Sequence, residues 1–205
     1  MKVSVLRKKT VIINSIKNFF YTNRLFFCSL LIVFFVGLVT GIFVAVKKSD
    51  YLSSDLLEKF ILFKFLSKDI GIVSFVFRKI IFVVLIGGIG YFLSRFKLSI
   101  ILFSILVFFL SYYLGLLIST LIIFWGVVGL LNVLLIILPF EFFIYLIIIF
   151  YFVWLVNFNK CLFLSHIKTN EVLNKIFIFF GILFFLIIIE GIIINLLTNP
   201  FFLVI

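Results

Sequence analysis

The chain has 205 residues, of which 66% are hydrophobic and only 12% charged, and its mean hydropathy is +1.49. These values exclude an ordinary soluble domain, whose helices and strands need a polar face toward water. The net charge of +11 does not indicate a nucleic-acid-binding protein, because most cations flank hydrophobic segments as topogenic charges do. Apolar runs such as 183–189 lack the alternation of a transmembrane barrel. We therefore predict an all-α, polytopic transmembrane helical bundle in the lipid bilayer.

The basic segment 1–24 contains six cations and no acid. By the positive-inside rule, this composition predicts a cytoplasmic N-terminus. Residues 11–24 are either a topogenic flank, the interpretation we favour, or a short helix on the anionic leaflet. No cleavable signal is expected, since the following apolar run is about 22 residues long and lacks a convincing cleavage site. The remainder, 25–205, is predicted to form a single transmembrane domain.

The first span is predicted at 25–46. It contains Gly37 and Gly41, a spacing that lets a second helix approach closely. Packing within the chain is the favoured interpretation, and a partner contact is the alternative.

Residues 47–79 are predicted to form an extracytoplasmic loop of mixed charge. Asp55 and the preceding serines can cap an amphipathic helix over 56–67. That helix would lie on the outer membrane surface or dock on a partner, and both interpretations stay open. The second span is predicted at 80–93, where Gly87 and Gly88 permit close helix packing.

Arg78 and Lys79 precede this second span. Their long side chains are expected to snorkel to the membrane surface.

Residues 98–157 contain a single charged side chain, Glu141. Pro139 disfavours helix at Leu138, and Ser119-Thr120 also interrupts the apolar run. Three segments are therefore predicted within 98–157, and a last segment follows the basic loop 158–175. The six segments are 25–46, 80–93, 98–118, 121–138, 140–157 and 176–197. If 121–138 is re-entrant, five segments cross and the basic loop is cytoplasmic. If it spans, six cross, and both alternatives stay open.

Four polar residues lie within or at the ends of the apolar segments: Glu141, Glu190, Asn132 and Asn195. An ionised carboxylate at mid-membrane costs about 2.5–3.5 kcal/mol, so each glutamate should face protein, carry a proton or lie near an interface. Glu190 is either a proton or ion ligand or, as we favour, an interhelical hydrogen-bonding residue. The asparagines are expected to form interhelical hydrogen bonds worth about 0.6–2 kcal/mol each.

The motifs of common membrane enzymes are not found in this sequence. It contains no phosphate-binding loop, no HExxH and no Ser/His pair within the apolar segments. The one histidine, His166, lies in a polar loop, and Cys28 and Cys161 are not expected to form a disulfide. We predict a non-enzymatic protein without catalytic residues, metal ligands or cofactors.

Four short segments carry a resemblance to a known family. They are FFVGLVTGIFVAV (34–46), FRKI (77–80), LLIILPFEFFIYL (134–146) and IIIEGIIINLLTNP (187–200). Their order resembles that of the stage II sporulation protein M family of bacterial membrane proteins, with Arg78, Lys79, Pro139 and Pro200 among the matching residues. The central segment departs from the family pattern, in which many members have His-Gly after the proline and the glutamate further on.

The resemblance implies a non-enzymatic scaffold in the bacterial cell membrane. The family's namesake anchors a peptidoglycan-remodelling complex during engulfment in sporulation. The expected partners are therefore membrane or membrane-anchored proteins, peptidoglycan hydrolases among them, and not nucleic acid, while a homo-oligomer stays open. Two alternatives remain: a transport component (a small permease or the membrane partner of an ABC-type ATPase) with Glu141 and Glu190 along its path, or an accessory subunit of a larger complex.

Overall fold

A computed structural model describes the backbone of residues 2–47, 71–162 and 169–201, and the side chains of 23–47, 71–158 (apart from 136) and 174–196. Within these ranges the chain is helical and contains no strand. The elements are α1 (Lys2–Lys47), α2 (Ile72–Leu93), α3 (Ser99–Asn132), a π-helix (Val133–Ile137), α4 (Leu138–Leu162) and α5 (Thr169–Phe201).

Among the residues that the structure describes, five helical stretches are long and apolar enough to cross a membrane. They are Asn23–Lys47, Ile72–Leu93, Ser99–Leu135, Leu138–Phe158 and Asn174–Leu196. The predicted fold class is therefore confirmed: the chain forms an all-helical, multi-pass membrane protein with five candidate spans.

The second span begins earlier than predicted. Helix α2 starts at Ile72, after Gly71 in extended conformation, and not at Ile80. The last predicted loop residues, including Arg78 and Lys79, therefore belong to the helix. The residues 72–77 are mostly apolar, so a helix that starts at Ile72 has to accommodate only two cations, Arg78 and Lys79. The predicted helix at 56–67 lies outside the described residues.

The predicted break at Ser119-Thr120 is wrong. Both residues are buried within α3, where the Thr120 hydroxyl donates a hydrogen bond to the Leu117 carbonyl. The helix breaks instead at Gly126, whose positive φ of 55° favours glycine.

The chain turns sharply at Gly126. A Cβ atom on Gly129 would overlap the carbonyl of Leu121, although residues eight apart lie about 12 Å from each other along a straight helix. The predicted segment 121–138 is therefore divided at Gly126. The residues before Gly126 end the first part of α3, and the residues after it run back toward α4. This arrangement accounts for five spans where six hydrophobic segments were predicted.

The predicted break at Leu138 is wrong, because the π-helix Val133–Ile137 leads directly into α4, which begins at Leu138. Proline lacks an amide hydrogen, and its ring collides with the carbonyl four residues earlier. A wider turn accommodates this: the Leu138 amide donates to the Val133 carbonyl, five residues back. The chain stays helical through the proline.

Helices α1 and α3 pack in parallel through glycines. A Cβ on Gly37 would overlap Ser111 and the Phe108 carbonyl, and one on Gly41 would overlap the Tyr112 carbonyl. On the α3 side, Gly115 lies equally close to the backbone of α1. We call this contact, defined by Gly37, Gly41 and Gly115, the glycine seam.

Side-chain contacts between the other helix pairs show whether those helices are parallel or antiparallel. Phe27 stacks on Phe150 with ring centroids 4.6 Å apart, and Phe34 lies beside Tyr145, so α1 and α4 are antiparallel.

Helices α2 and α4 run in parallel. Lys79 contacts Glu141, and further along α2 a Cβ on Gly90 would meet the Phe152 ring.

Helices α2 and α5 are antiparallel. Lys79 contacts Glu190, whereas Gly87 lies against Phe180. Helices α1, α3 and α5 thus run one way, and α2 and α4 the other. We name the two ends of the bundle by the residues of α2 found there: the Ile72 end and the Leu93 end.

Candidate functional site

Three charged residues from three helices meet inside the bundle. The Lys79 ammonium on α2 lies 2.8 Å from Oε1 of Glu141 on α4 and also donates to Oε2 of Glu190 on α5. Lys79 and Glu141 are each only 8% exposed, and Glu190 is fully buried. We call these three residues the ionic cluster.

Helical geometry places Lys79 inside the protein. Phe75 and Val83 lie four residues before and after it, Ile86 lies seven after, and all are buried. Residues at these intervals share one helix face, so Lys79 lies on the buried stripe of α2. Its neighbour Arg78 lies about 100° around the helix and is exposed.

The two glutamates are positioned in the same way. Glu141 precedes Ile144, Tyr145 and Ile148 on the buried face of α4.

Glu190 lies between Ile187 and Ile194 on the buried face of α5. Both carboxylates therefore point into the protein and not into lipid, as the cost of an isolated charge requires.

The ionic cluster lies well inside the apolar part of the bundle. Lys79 is seven residues after Ile72, which places it about 10 Å from that end at 1.5 Å per residue. Glu190 is six residues before Leu196, the last residue of its candidate span. An isolated charge is costly within an apolar span, and here the opposite charges compensate one another.

The cluster contains one ammonium and two carboxylates. With all three ionised, its net charge is −1. Oε1 of Glu190 is buried and has no hydrogen-bond partner among the residues that the structure describes. A proton or another cation at this carboxylate would balance the charge and supply the missing partner.

A cavity of about 120 Å³ adjoins the cluster between α2, α3 and α4. Lys79 and Glu141 form its polar part. The rest of its lining is aliphatic and aromatic, and the aromatic residues are Phe75, Phe82, Tyr113 and Tyr145. Phe82 is 39% exposed and Tyr113 44% exposed, so the cavity opens sideways between α2 and α3, toward the lipid.

The glycines predicted to support helix packing have different surroundings. Gly37, Gly41 and Gly87 are buried against neighbouring helices, Gly87 against the Phe180 ring. Gly88 is exposed, and among the described residues no neighbouring helix comes within 4 Å of the position its Cβ would take. The first three therefore pack within the chain.

The remaining candidate residues lie outside the cluster. Asn132 is buried next to the π-helix, and its Nδ2 has no hydrogen-bond partner among the described residues. Asn195 is exposed on α5, and Pro139 is partly buried at the start of α4. The side chains of Pro200 and His166 lie outside the described part of the chain.

Metal binding has no support in the described part of the chain. No group of three or more histidine, cysteine or acidic side chains that could hold a metal ion occurs there. The two glutamates are already joined by the lysine, which favours monovalent charge compensation.

The sequence interpretation assigned the wrong surroundings to Lys79. We expected it to snorkel, but it is buried and neutralises two carboxylates. One signal was available: Phe75, Lys79, Val83 and Ile86 have the spacing of a single buried face. A second was chemical, since two intramembrane glutamates need a cation and Lys79 directly precedes a predicted span.

Comparisons with known proteins give no match. No protein-family model, no curated protein and no solved structure is significantly similar to this chain.

Proposed function

We propose that this protein is a membrane transport component, with the ionic cluster as its site of proton exchange. The observation that carries the proposal is the position of Lys79, Glu141 and Glu190 inside the bundle, beside a cavity that opens between two helices. Intramembrane ionisable residues are costly and typically mark the paths of protons, ions or substrates.

The charge count favours an exchangeable site over a purely structural ion pair. One lysine and one glutamate would join two helices without excess charge. The second carboxylate leaves the cluster at −1 unless a proton is bound. A site that becomes neutral by taking up one proton, and negative by losing it, has two electrostatic states that a transport cycle can use.

The orientation that we propose is an N-terminus in the cytoplasm of a bacterial cell. Helices α1 and α3 run in parallel, and cations lie at the start of each span: Arg24 for α1, and Arg95 and Lys97 for α3. Five spans place the basic loop 158–175 at the same Leu93 end. The positive-inside rule then assigns that end to the cytoplasm, and the ionic cluster lies nearer the outer surface.

Infrared difference spectroscopy of the purified protein tests the exchange site. A protonated carboxyl group and a carboxylate absorb at separate frequencies, so acid and alkaline buffers give a difference spectrum. The wild type should show one buried carboxyl that Glu190→Gln removes, with circular dichroism unchanged. Arg78→Gln, one residue from Lys79 but exposed, should leave the signal intact. A spectrum unaffected by Glu190→Gln would refute the exchange site.

A second candidate is a membrane scaffold like the stage II sporulation protein M family. One observation favours it: three of the four segments behind the resemblance each contribute one residue to the ionic cluster, namely Lys79, Glu141 and Glu190. In a scaffold, the cluster would lock α2, α4 and α5 together, and partners such as peptidoglycan hydrolases would bind elsewhere. Gly37 and Gly41 do not suit that contact, because both pack against α3.

Purification of the tagged protein from its native membrane in mild detergent separates the two candidates. Mass spectrometry that identifies an ATP-binding subunit or a transporter would support the transport component. Peptidoglycan hydrolases or other sporulation proteins would support the scaffold. Stable co-migration with a respiratory complex would contradict both and favour an accessory subunit.

A further inference from the structure

We propose that the cavity binds the head group of an amphiphilic ammonium compound, in exchange for the proton of the ionic cluster. This inference rests on the proposed transport function and names its substrate class. The ligand is a cation with an apolar tail, recognised by charge and by aromatic rings.

Charge complementarity selects a cation. Glu141 lines the cavity, and Glu190 lies behind it on the same ammonium group of Lys79. Two carboxylates outnumber one lysine, so a cation gains from the excess negative charge and an anion is repelled. One proton or one monovalent cation is sufficient to make the cluster neutral.

The aromatic lining suits an ammonium group in particular. Phe75, Phe82, Tyr113 and Tyr145 line the same cavity as Lys79 and Glu141, and ring faces attract alkylammonium ions. The protein already contains an example, since the Lys79 ammonium lies 5.5 Å from the centre of the Phe75 ring. A small hydrated metal ion would gain little from such a lining.

The size and opening of the cavity suit an amphiphile. Its volume of about 120 Å³ approaches that of an engineered cavity of about 150 Å³ that admits benzene. The charged residues lie inside, and the exposed rings of Phe82 and Tyr113 form the mouth between α2 and α3. A ligand with its head group inside can therefore leave its tail in the lipid.

The exchange balances in charge. With one proton bound, the cluster consists of one ammonium, one carboxylate and one neutral carboxyl, and its net charge is zero. When the ligand cation enters, that proton leaves, and the sum is zero again. The other titratable groups that line the cavity, the phenols of Tyr113 on α3 and Tyr145 on α4, are uncharged at neutral pH.

Isothermal titration calorimetry on the full chain in uncharged detergent tests this exchange. The probe is dodecyltrimethylammonium, and its control is the neutral tert-butyl analogue of the same length. Titrations in two buffers with different ionisation enthalpies give the number of protons released. We expect one proton per bound probe, an affinity that falls up to about tenfold per pH unit on acidification, and no saturable binding of the neutral analogue.

Two pairs of variants locate the site. Glu190→Gln should abolish proton release, and exposed Arg78→Gln should not. Phe82→Leu at the mouth should weaken binding roughly fivefold, whereas Phe77→Leu, on the same helix and exposed but outside the cavity, should bind as the wild type does.

Three results would overturn the inference: no saturable binding of the ammonium probe, binding without proton release, or equal binding of the neutral analogue. If any of these occurs while the infrared signal of Glu190 is present, the exchange site stands and only the substrate class is wrong. If that infrared signal is missing as well, the proposed function fails with it.

Discussion

The glycine seam and the ionic cluster hold helices together in opposite ways. At the seam, Gly37, Gly41 and Gly115 bring the backbones of α1 and α3 together with no room for a side chain. At the cluster, long side chains join α2, α4 and α5 through charge and leave a cavity beside them.

This difference separates a structural contact from the proposed functional site. The seam has one arrangement, because backbone atoms fill it and cannot move without moving whole helices. The cluster has an unequal number of charges and a neighbouring space, so its protonation and occupancy can change while the helices stay in place. We therefore assign rigidity to the α1–α3 side and exchange to the α2–α4–α5 side.

The largest effect is expected where the cluster loses its cation. Lys79→Met leaves two carboxylates together in the membrane, and removing one partner of a buried ion pair costs about 3–5 kcal/mol. Denaturant unfolding in detergent micelles should show this loss. Arg78→Met, at the exposed neighbouring position, should change the free energy of unfolding by about 0.5 kcal/mol or less. Equal effects of the two variants would show that Lys79 is not paired in the folded protein.

The two glutamates should behave non-additively. Either Glu141→Gln or Glu190→Gln leaves one lysine with one carboxylate, so each single variant should cost less than about 1 kcal/mol of unfolding free energy. The double variant leaves Lys79 without a carboxylate and should cost about 2.5–3.5 kcal/mol, as for an unpaired charge in the membrane. The same unfolding measurement supplies the double-mutant cycle. Simple additivity would contradict the charge count.

The glycine seam should not tolerate a side chain. A Cβ on Gly41 would overlap the Tyr112 carbonyl, so Gly41→Leu should destabilise the fold by about 1–3 kcal/mol, the usual cost of overpacking. We expect a lower unfolding temperature and less monodisperse protein in size-exclusion chromatography. Gly88→Leu is the matched control, because open space surrounds Gly88. If both variants behave like the wild type, the seam is not as close as described.

The smallest effect is expected at Asn132, outside both regions. Its buried Nδ2 has no hydrogen-bond partner among the described residues, and a buried polar group without a partner is destabilising. Asn132→Leu should raise the unfolding free energy by up to about 1 kcal/mol. A loss of more than that amount would show that Asn132 forms a stabilising hydrogen bond.

The sequence predicted those features that depend on composition and local backbone chemistry. Continuous apolar runs required membrane helices, and the spacing of Gly37 and Gly41 permitted close approach. The structure contains both: five candidate spans among the described residues, and the glycine seam. The break predicted at Leu138 is replaced by a π-helix that leads into α4.

The features that depend on distant partners were not predicted. A lysine near the start of a helix can extend to the membrane surface or pair with a carboxylate. Lys79 pairs, because Glu141 and Glu190 on two other helices lie beside it. The turn was misplaced for a similar reason. Thr120 is helical and donates its hydroxyl hydrogen bond within α3, and the reversal occurs at Gly126, which has a positive φ.

The ionic cluster has one carboxylate more than it has cations, and we propose that this carboxylate exchanges a proton. The most direct test counts protons: purified wild type and Glu190→Gln are moved from acid to alkaline solution, and a pH-indicator dye records the protons released per chain. We predict that the wild type releases one proton more than Glu190→Gln, while Arg78→Gln matches the wild type. Equal release from wild type and Glu190→Gln would contradict the account.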